Sequence, residues 1–227
     1  MKKVISYSLW GDIPKYFVGA LENIKVQKEL FPDWICRFYC YSHVNLKWIN
    51  EFYKKGAEVV LKDEVPNIKQ MYEPGIFLGM FWRFEVLKDK DIERCIIRDT
   101  DGRLTQREKN CVKDWEKSGK EFHIIRDHPM HNTKIMGGMW GCAKSFIDKI
   151  NYDDLINQFN KLSYKNMYAT DQEFLARMIY PLIKDNVCIH DDLDRYKEGA
   201  RKIPHLRDAQ HYIGEPISVD LVELKNS

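Results

Sequence analysis

Apolar and polar residues fall into alternating blocks along this chain. Short apolar runs at residues 3–9, 34–41, 57–61, 93–98, 122–126, 135–142 and 187–190 have the length and make-up of buried strands. Several intervening segments carry helical spacing instead. Phe17, Ala20, Leu21 and Ile24 line one face of a helix whose first turn suits Pro14. Leu46, Ile49, Phe52 and Tyr53 repeat that spacing, with Gly56 placed to close the helix. Phe77, Leu78, Phe81 and Phe84 form a third stripe. Thr105 with Glu108, and Thr170 with Glu173, match the capping box, in which a hydroxyl accepts from a backbone amide three residues on. The first box leads into Cys111, Val112 and Trp115, and Gly119 ends that helix. The second leads into Phe174, Leu175, Met178 and Ile179, with Pro181 kinking or ending it.

Strands that alternate with helices specify an α/β protein: a mostly parallel central sheet flanked by helices on both faces. No repeat, low-complexity segment or linker divides residues 1–227, so a single domain is expected. In such sheets ligands bind beyond the carboxyl ends of the strands. Residues 8–12, Asp63 and residues 99–101 all follow apolar runs, and the rule brings them to one rim.

Composition narrows the picture. Thirty-six basic against 34 acidic residues leave a formal charge of +2, which argues against nucleic acid as the main partner. An apolar share of 44% supports a sizeable core without disulfides. The six cysteines, at 36, 40, 95, 111, 142 and 188, form no CxxC pair and sit mostly in apolar runs, as reduced core cysteines do. The opening MKKVISYSLWGD reads as a first strand, and no stretch approaches the ~20 apolar residues of a membrane span. A cytoplasmic chain without signal peptide or membrane anchor is expected.

The stretch Cys95 to Leu104, CIIRDTDGRL, carries the candidate chemistry. In a strand, Asp99 and Asp101 point to the same side, and two like charges so close repel unless a cation or proton lies between them. Three readings follow: a divalent-metal site, a phosphatase nucleophile pair, or an acidic turn. A hard cation that bridges two phosphates needs oxygen ligands with positions left open for the phosphates. Two aspartates at a strand end, followed by Gly102 and a capped helix, suit that demand.

IIRDTDGRL also resembles the DxD motif of glycosyltransferases with the GT-A fold. RDHPMHN (126–132), GGMWG (137–141), ATDQEFL (169–175) and QHYIGEP (210–216) extend the resemblance to small bacterial and virus-encoded enzymes that build surface glycans. It implies a GT-A, Rossmann-like fold and transfer of a hexosyl or deoxyhexosyl group from a nucleotide-sugar donor, usually a UDP-sugar, to a glycan acceptor. It also implies Mn2+ (or Mg2+) and the cytoplasm of a bacterium or virus-infected host. Asp99 and Asp101 would hold the metal and the ribose or pyrophosphate, with His211 of HYIG as a further ligand. An imidazole among oxygen ligands favours manganese over magnesium.

Other residues take roles by chemistry. Arg83 and Arg98 either stabilise the charge on a departing diphosphate or form structural ion pairs. Asp127, His128 and Asp171 are candidate bases for an acceptor hydroxyl, although Asp171 also complements a helix dipole. His131 can bind acceptor or phosphate. Gly137 and Gly138 permit close approach to a sugar, or equally a bulge. Tyr7, Ser8, Leu9 and Trp10 frame a nucleotide base or pack as core; Trp140 is expected in the core. Asp63 accepts from a base or caps a turn.

Two other classes compete. DTDGRL resembles motif I of haloacid-dehalogenase-type phosphatases, with Asp99 as nucleophile, Asp101 as acid–base and Asp191 with Asp192 holding magnesium. That motif usually opens a chain's first strand, and here it does not. The third class is a non-catalytic sugar-binding domain that keeps the fold.

Overall fold

Apolar runs rich in β-branched and aromatic residues can be buried on both faces, and here they build one seven-stranded sheet. In the computed structural model, which describes residues 1–64, 78–162, 169–204 and 211–217, the strands are β1 (Lys2–Leu9), β2 (Trp34–Tyr41), β3 (Glu58–Lys62), β4 (Ile92–Ile97), β5 (Phe122–Arg126), β6 (Trp140–Ala143) and β7 (Val187–Asp191). Their order is β3-β2-β1-β4-β6-β5-β7. All neighbours are parallel except β6, which runs antiparallel to both β4 and β5. The sheet is mostly parallel, as its alternation with helices implied.

The helices are α1 (Pro14–Leu30), α2 (Leu46–Lys54), α3 (Gln106–Ser118), α4 (Lys144–Ile147), α5 (Tyr152–Asn160), α6 (Thr170–Phe174) and α7 (Tyr180–Ile183). Side chains alternate between the two sheet faces. Ile5, Tyr7, Phe38 and Ile96 pack with α1, α2 and α3, where Tyr7 stacks on Phe38 at 4.9 Å and Phe38 on Phe52 at 4.8 Å. Val4, Tyr39, Cys95, Ile97 and Trp140 face the other layer, where Trp140 stacks on Phe122 at 5.2 Å and meets Phe84 edge-on. Trp140 is fully buried and donates its indole N–H to the Gly137 carbonyl at 3.2 Å, which makes it core. All six cysteines are buried and free.

Local signals explain most helix ends. Pro14 occupies the first turn of α1, the Thr105 hydroxyl accepts from the Glu108 amide at 3.1 Å, and Gly119 closes α3 with φ +69°. Four expectations need correction. Residues 135–139 turn, with the Met139 amide bonded to the Met136 carbonyl, so β6 starts only at Trp140. The stripe around Phe81 and Phe84 is a 3-10 helix, Leu78–Lys88, and Phe77 lies outside the described residues. Thr170 does not cap: it is buried inside α6, which begins after Ala169 without a side-chain cap. Of the two roles open to Pro181, kinking and ending, the second is excluded, because a π-helical turn, Leu175–Ile179, precedes it and the backbone continues through α7. On α2, Leu46 and Tyr53 are exposed, so only Ile49 and Phe52 reach the core. No helix among the described residues is long and apolar enough to cross a membrane.

A buried polar chain lies under α3. His123 Nε2 meets His190 Nδ1 at 2.9 Å, and His190 Nε2 meets the Asp114 carboxylate at 3.1 Å, which also pairs with Arg201. Burial pushes the pKa of His123 well below its ordinary value, with the neighbouring His190 and nearby arginines adding to the effect. Burial also lowers that of His190, against the opposing pull of Asp114. A base with a depressed folded pKa leaves stability intact above its unfolded pKa of about 6.5, and stability falls once acid protonates the unfolded chain below that point. The melting temperature should therefore drop as pH is lowered from 7.5 to 5.5. His123→Gln should flatten that dependence, whatever it does to the melting temperature at pH 7.5; an unchanged slope in a thermal melt series would refute the linkage.

Candidate active site

Because β6 runs backwards, its start lies beside the end of β4, with Ile97 paired to Trp140. The segments after β1, after β4 and before β6 therefore meet at one rim. They line a cleft of about 570 Å³ together with Tyr16, Met80, Arg83, His131, Asp171 and Gln172. Ser8, Leu9, Trp10, Asp99, Asp101, Gly137 and Gly138 all face it.

Arg83 organises this rim. Its backbone is pinned to β1: its amide donates to Ser8 Oγ at 2.8 Å, and its carbonyl accepts from Ser6 Oγ at 2.7 Å. Its buried guanidinium donates one nitrogen to Asp99 and the other to Asp171 Oδ2 at 2.9 Å. Burial raises the Asp171 pKa, with Arg83 pulling against that rise. Asp99 stays half exposed, at 52% for its side chain, with one oxygen held by Arg83 and the other lying against Gly138. Asp101 is less exposed and has Lys15 Nζ 3.6 Å away. Burial, then the neighbouring Asp99 charge, raise the Asp101 pKa, and Lys15 opposes them.

Steric limits hold the same loop. A Cβ on Gly138 would overlap the Asp99 carboxylate, and one on Gly137 would overlap that of Asp171. From α1, Asn23 donates to the Gly102 carbonyl at 2.8 Å and accepts from the Leu104 amide at 3.1 Å. Gly19 lies so close to the Thr100 carbonyl that no side chain fits between them. On the far side, the Ile217 amide donates to the Asp101 carbonyl at 2.9 Å.

Other candidates sit elsewhere. Asp127 does not line the cleft: Arg107 grips both its oxygens at 2.9 and 2.8 Å, and the Ile213 amide donates to it at 3.0 Å. It ties α3 to residues 211–217. Arg98 is buried against Glu108 and the carbonyls of Ile97 and Trp140, a structural ion pair. Tyr7 is core. Asp63 is exposed beyond the edge strand β3 and outside the cleft. His211 is 63% exposed, pairs with Glu215 at 2.8 Å and does not line the cleft. His128 stacks on Tyr212 at 4.2 Å beside the rim, and His131 reaches the cleft in its place. Asp191 ends β7 and Asp192 follows it, with β6 and β5 between that strand and β4; Arg126 holds the first and Arg107 the second. Lys15, Tyr16, Asn23, Met80 and Met136 carry no motif; only a basic residue in a first helical turn hints at Lys15.

The sequence matches no family model and no curated protein. Solved structures do match the fold. A glycosyltransferase involved in the glycosylation of the major capsid of PBCV-1 superposes with a TM-score of 0.52 at 13% identity, over 87% of this chain and 89% of that one. An active-site mutant of LgtC gives 0.50 at 12% identity, over 91% and 80%. The chain has the GT-A fold. The apo form of the glycosyltransferase GlyE from Streptococcus pneumoniae TIGR4 gives 0.53 at 14% identity, over 84% of this chain and 45% of that one, so this chain spans about half its length. In this GT-A sheet the rim that carries Asp99 is the one at which α/β folds bind ligands.

Two substitutions test the rim. Asp171→Ala strands part of the Arg83 charge in a buried site, and should cost about 3 kcal/mol in urea unfolding. Asp99→Ala should cost less, since its carboxylate is half solvated; equal costs would contradict the burial difference. Gly138→Ala should lower stability by about 1–3 kcal/mol by forcing Asp99 aside.

Proposed function

We propose that the protein is a metal-dependent glycosyltransferase that moves a hexosyl or deoxyhexosyl group from a UDP-sugar to a glycan or related acceptor. The observation that carries this reading is the Asp99–Asp101 pair, facing a cleft of about 570 Å³ on a GT-A fold. That volume suits a ligand of nucleotide-sugar size.

The donor set fits a divalent cation, Mn2+ or Mg2+. Two carboxylates on one turn offer hard oxygen ligands, both residues line the cleft, and Arg83 takes only one oxygen of Asp99. Asp99 and Asp101 are the proposed ligands. Bound there, the ion supplies Lewis-acid neutralisation of charge on the departing nucleoside diphosphate.

The chain's own groups do the rest. Arg83 fixes the rotamer of Asp99 and so the aim of its other oxygen. Gly137 and Gly138 keep side chains away from the two carboxylates, leaving backbone to face the sugar. Asp171 and Gln172, at the start of α6, are the proposed contacts to the reacting sugar, and His131 is the proposed contact to the acceptor. Trp10 and Tyr16 offer rings for the base. Asp127 and Arg98 belong to the frame. Against the phosphatase reading stands the position of Asp191, only 2% exposed and held by Arg126 at 2.9 Å.

Incubation with Mn2+ and a panel of nucleotide sugars should release UDP, slowly without acceptor. Asp101→Ala should reduce that release to background while near-ultraviolet circular dichroism stays unchanged. Full turnover in the variant would reject the metal assignment. Hydrolysis of an aryl phosphate with Mg2+, with UDP-sugars left intact, would replace this reading with a phosphatase.

A further inference from the structure

Helices favour acidic residues in the first turn and basic residues in the last, because the backbone dipole is positive at the start. α1 follows this at its end, with Lys28 in its last turn, but departs from it at its start: its first turn has no acidic residue and carries Lys15. The departure has a local reason. Lys15 Nζ lies 3.6 Å from Asp101 Oδ2 and 4.5 Å from the centre of the Tyr16 ring, so its ammonium stands between the carboxylate pair and a ring that lines the cleft. Each carboxylate of the pair thus has its own cation, Arg83 for Asp99 and Lys15 for Asp101. The two cations differ in one respect. Arg83 is buried with a 6% exposed side chain and anchored at both ends, whereas Lys15 is 39% exposed on a flexible stem.

We propose that Lys15 is a resident counter-cation that a divalent metal must displace from Asp101, and that it couples metal binding to binding of the donor diphosphate. The inference rests on the metal-dependent reading above. A divalent ion and an ammonium that share one carboxylate repel each other, so the metal alone binds weakly while Lys15 holds its place. A diphosphate adds negative charge beside the same carboxylate pair and gives the ammonium a second partner, which relieves the repulsion. Metal and nucleotide then bind better together than either does alone, and by linkage the effect is reciprocal. The Tyr16 ring offers the ammonium a face to rest on during the exchange.

The test measures Mn2+ uptake by paramagnetic resonance of the free ion, with and without UDP, in wild type, Lys15→Met and Lys15→Arg. Lys15→Met should bind Mn2+ alone roughly tenfold more tightly than wild type, the size of one modest ionic interaction. In the same variant, the gain in Mn2+ affinity on adding UDP should shrink by a similar factor. Lys15→Arg, which keeps the charge, should behave as wild type. A Lys15→Met variant whose Mn2+ affinity without UDP, and whose gain on adding UDP, both match wild type would overturn this inference and leave the transferase reading standing. Absence of Mn2+ uptake in all three proteins at any UDP concentration would overturn both.

Discussion

A guanidinium buried between two carboxylates is the constraint on which this rim depends. Arg83 must be desolvated to sit where it does, and only Asp99 and Asp171 together make that tolerable. The arrangement joins three parts of the chain that lie far apart in sequence: the 3-10 helix before β4, the turn after β4 and the start of α6. Its direction is set from below by two serines of β1, which fix the Arg83 backbone. Electrostatics and packing therefore point the same way, since the glycines at 137 and 138 leave space only for the carboxylates as they stand.

Around that centre, the acidic turn is held from opposite sides. α1 supplies Asn23 and the bare surface of Gly19; residues 211–217 supply the Ile217 amide and close contact at Gly214. Asp127 secures those last residues through Arg107 and the Ile213 amide. A group that sequence chemistry offers as a base is thus a fastening, and the distinction is one of geometry: both its oxygens are already taken by a guanidinium and a main-chain donor.

Much of this was legible before any coordinates. The apolar runs marked all seven strands, because strands covered on both faces show continuous hydrophobicity. The DxD spacing, the glycine pair and the DQ pair lead to residues that line the cleft. What escaped has physical reasons. Apolar residues 135–139 have the make-up of a strand while they turn, so hydrophobicity alone extends β6 beyond its true start. α5 was overlooked, although Asn151 caps it by accepting from the Asp153 and Asp154 amides. Thr170 imitated a cap because the pattern cannot report that the residue is buried. Arg98 and Asp127 meet Glu108 and Arg107 across the fold, partners that spacing along the chain does not announce.

The reversed strand has a consequence for how such a protein can change. β5 and β6 are neighbours joined by residues 127–139, so both ends of that connection rise at the same mouth. A hairpin loop can lengthen, shorten or swap residues at low entropic cost without disturbing the ladder beneath it. Here that freedom falls on residues 128–136, the wall holding His131 and Met136, since Asp127 is fastened to Arg107 and the glycines at 137 and 138 abut the Asp171 and Asp99 carboxylates. Selectivity for what enters from that side can drift over evolutionary time while the charged floor stays unaltered.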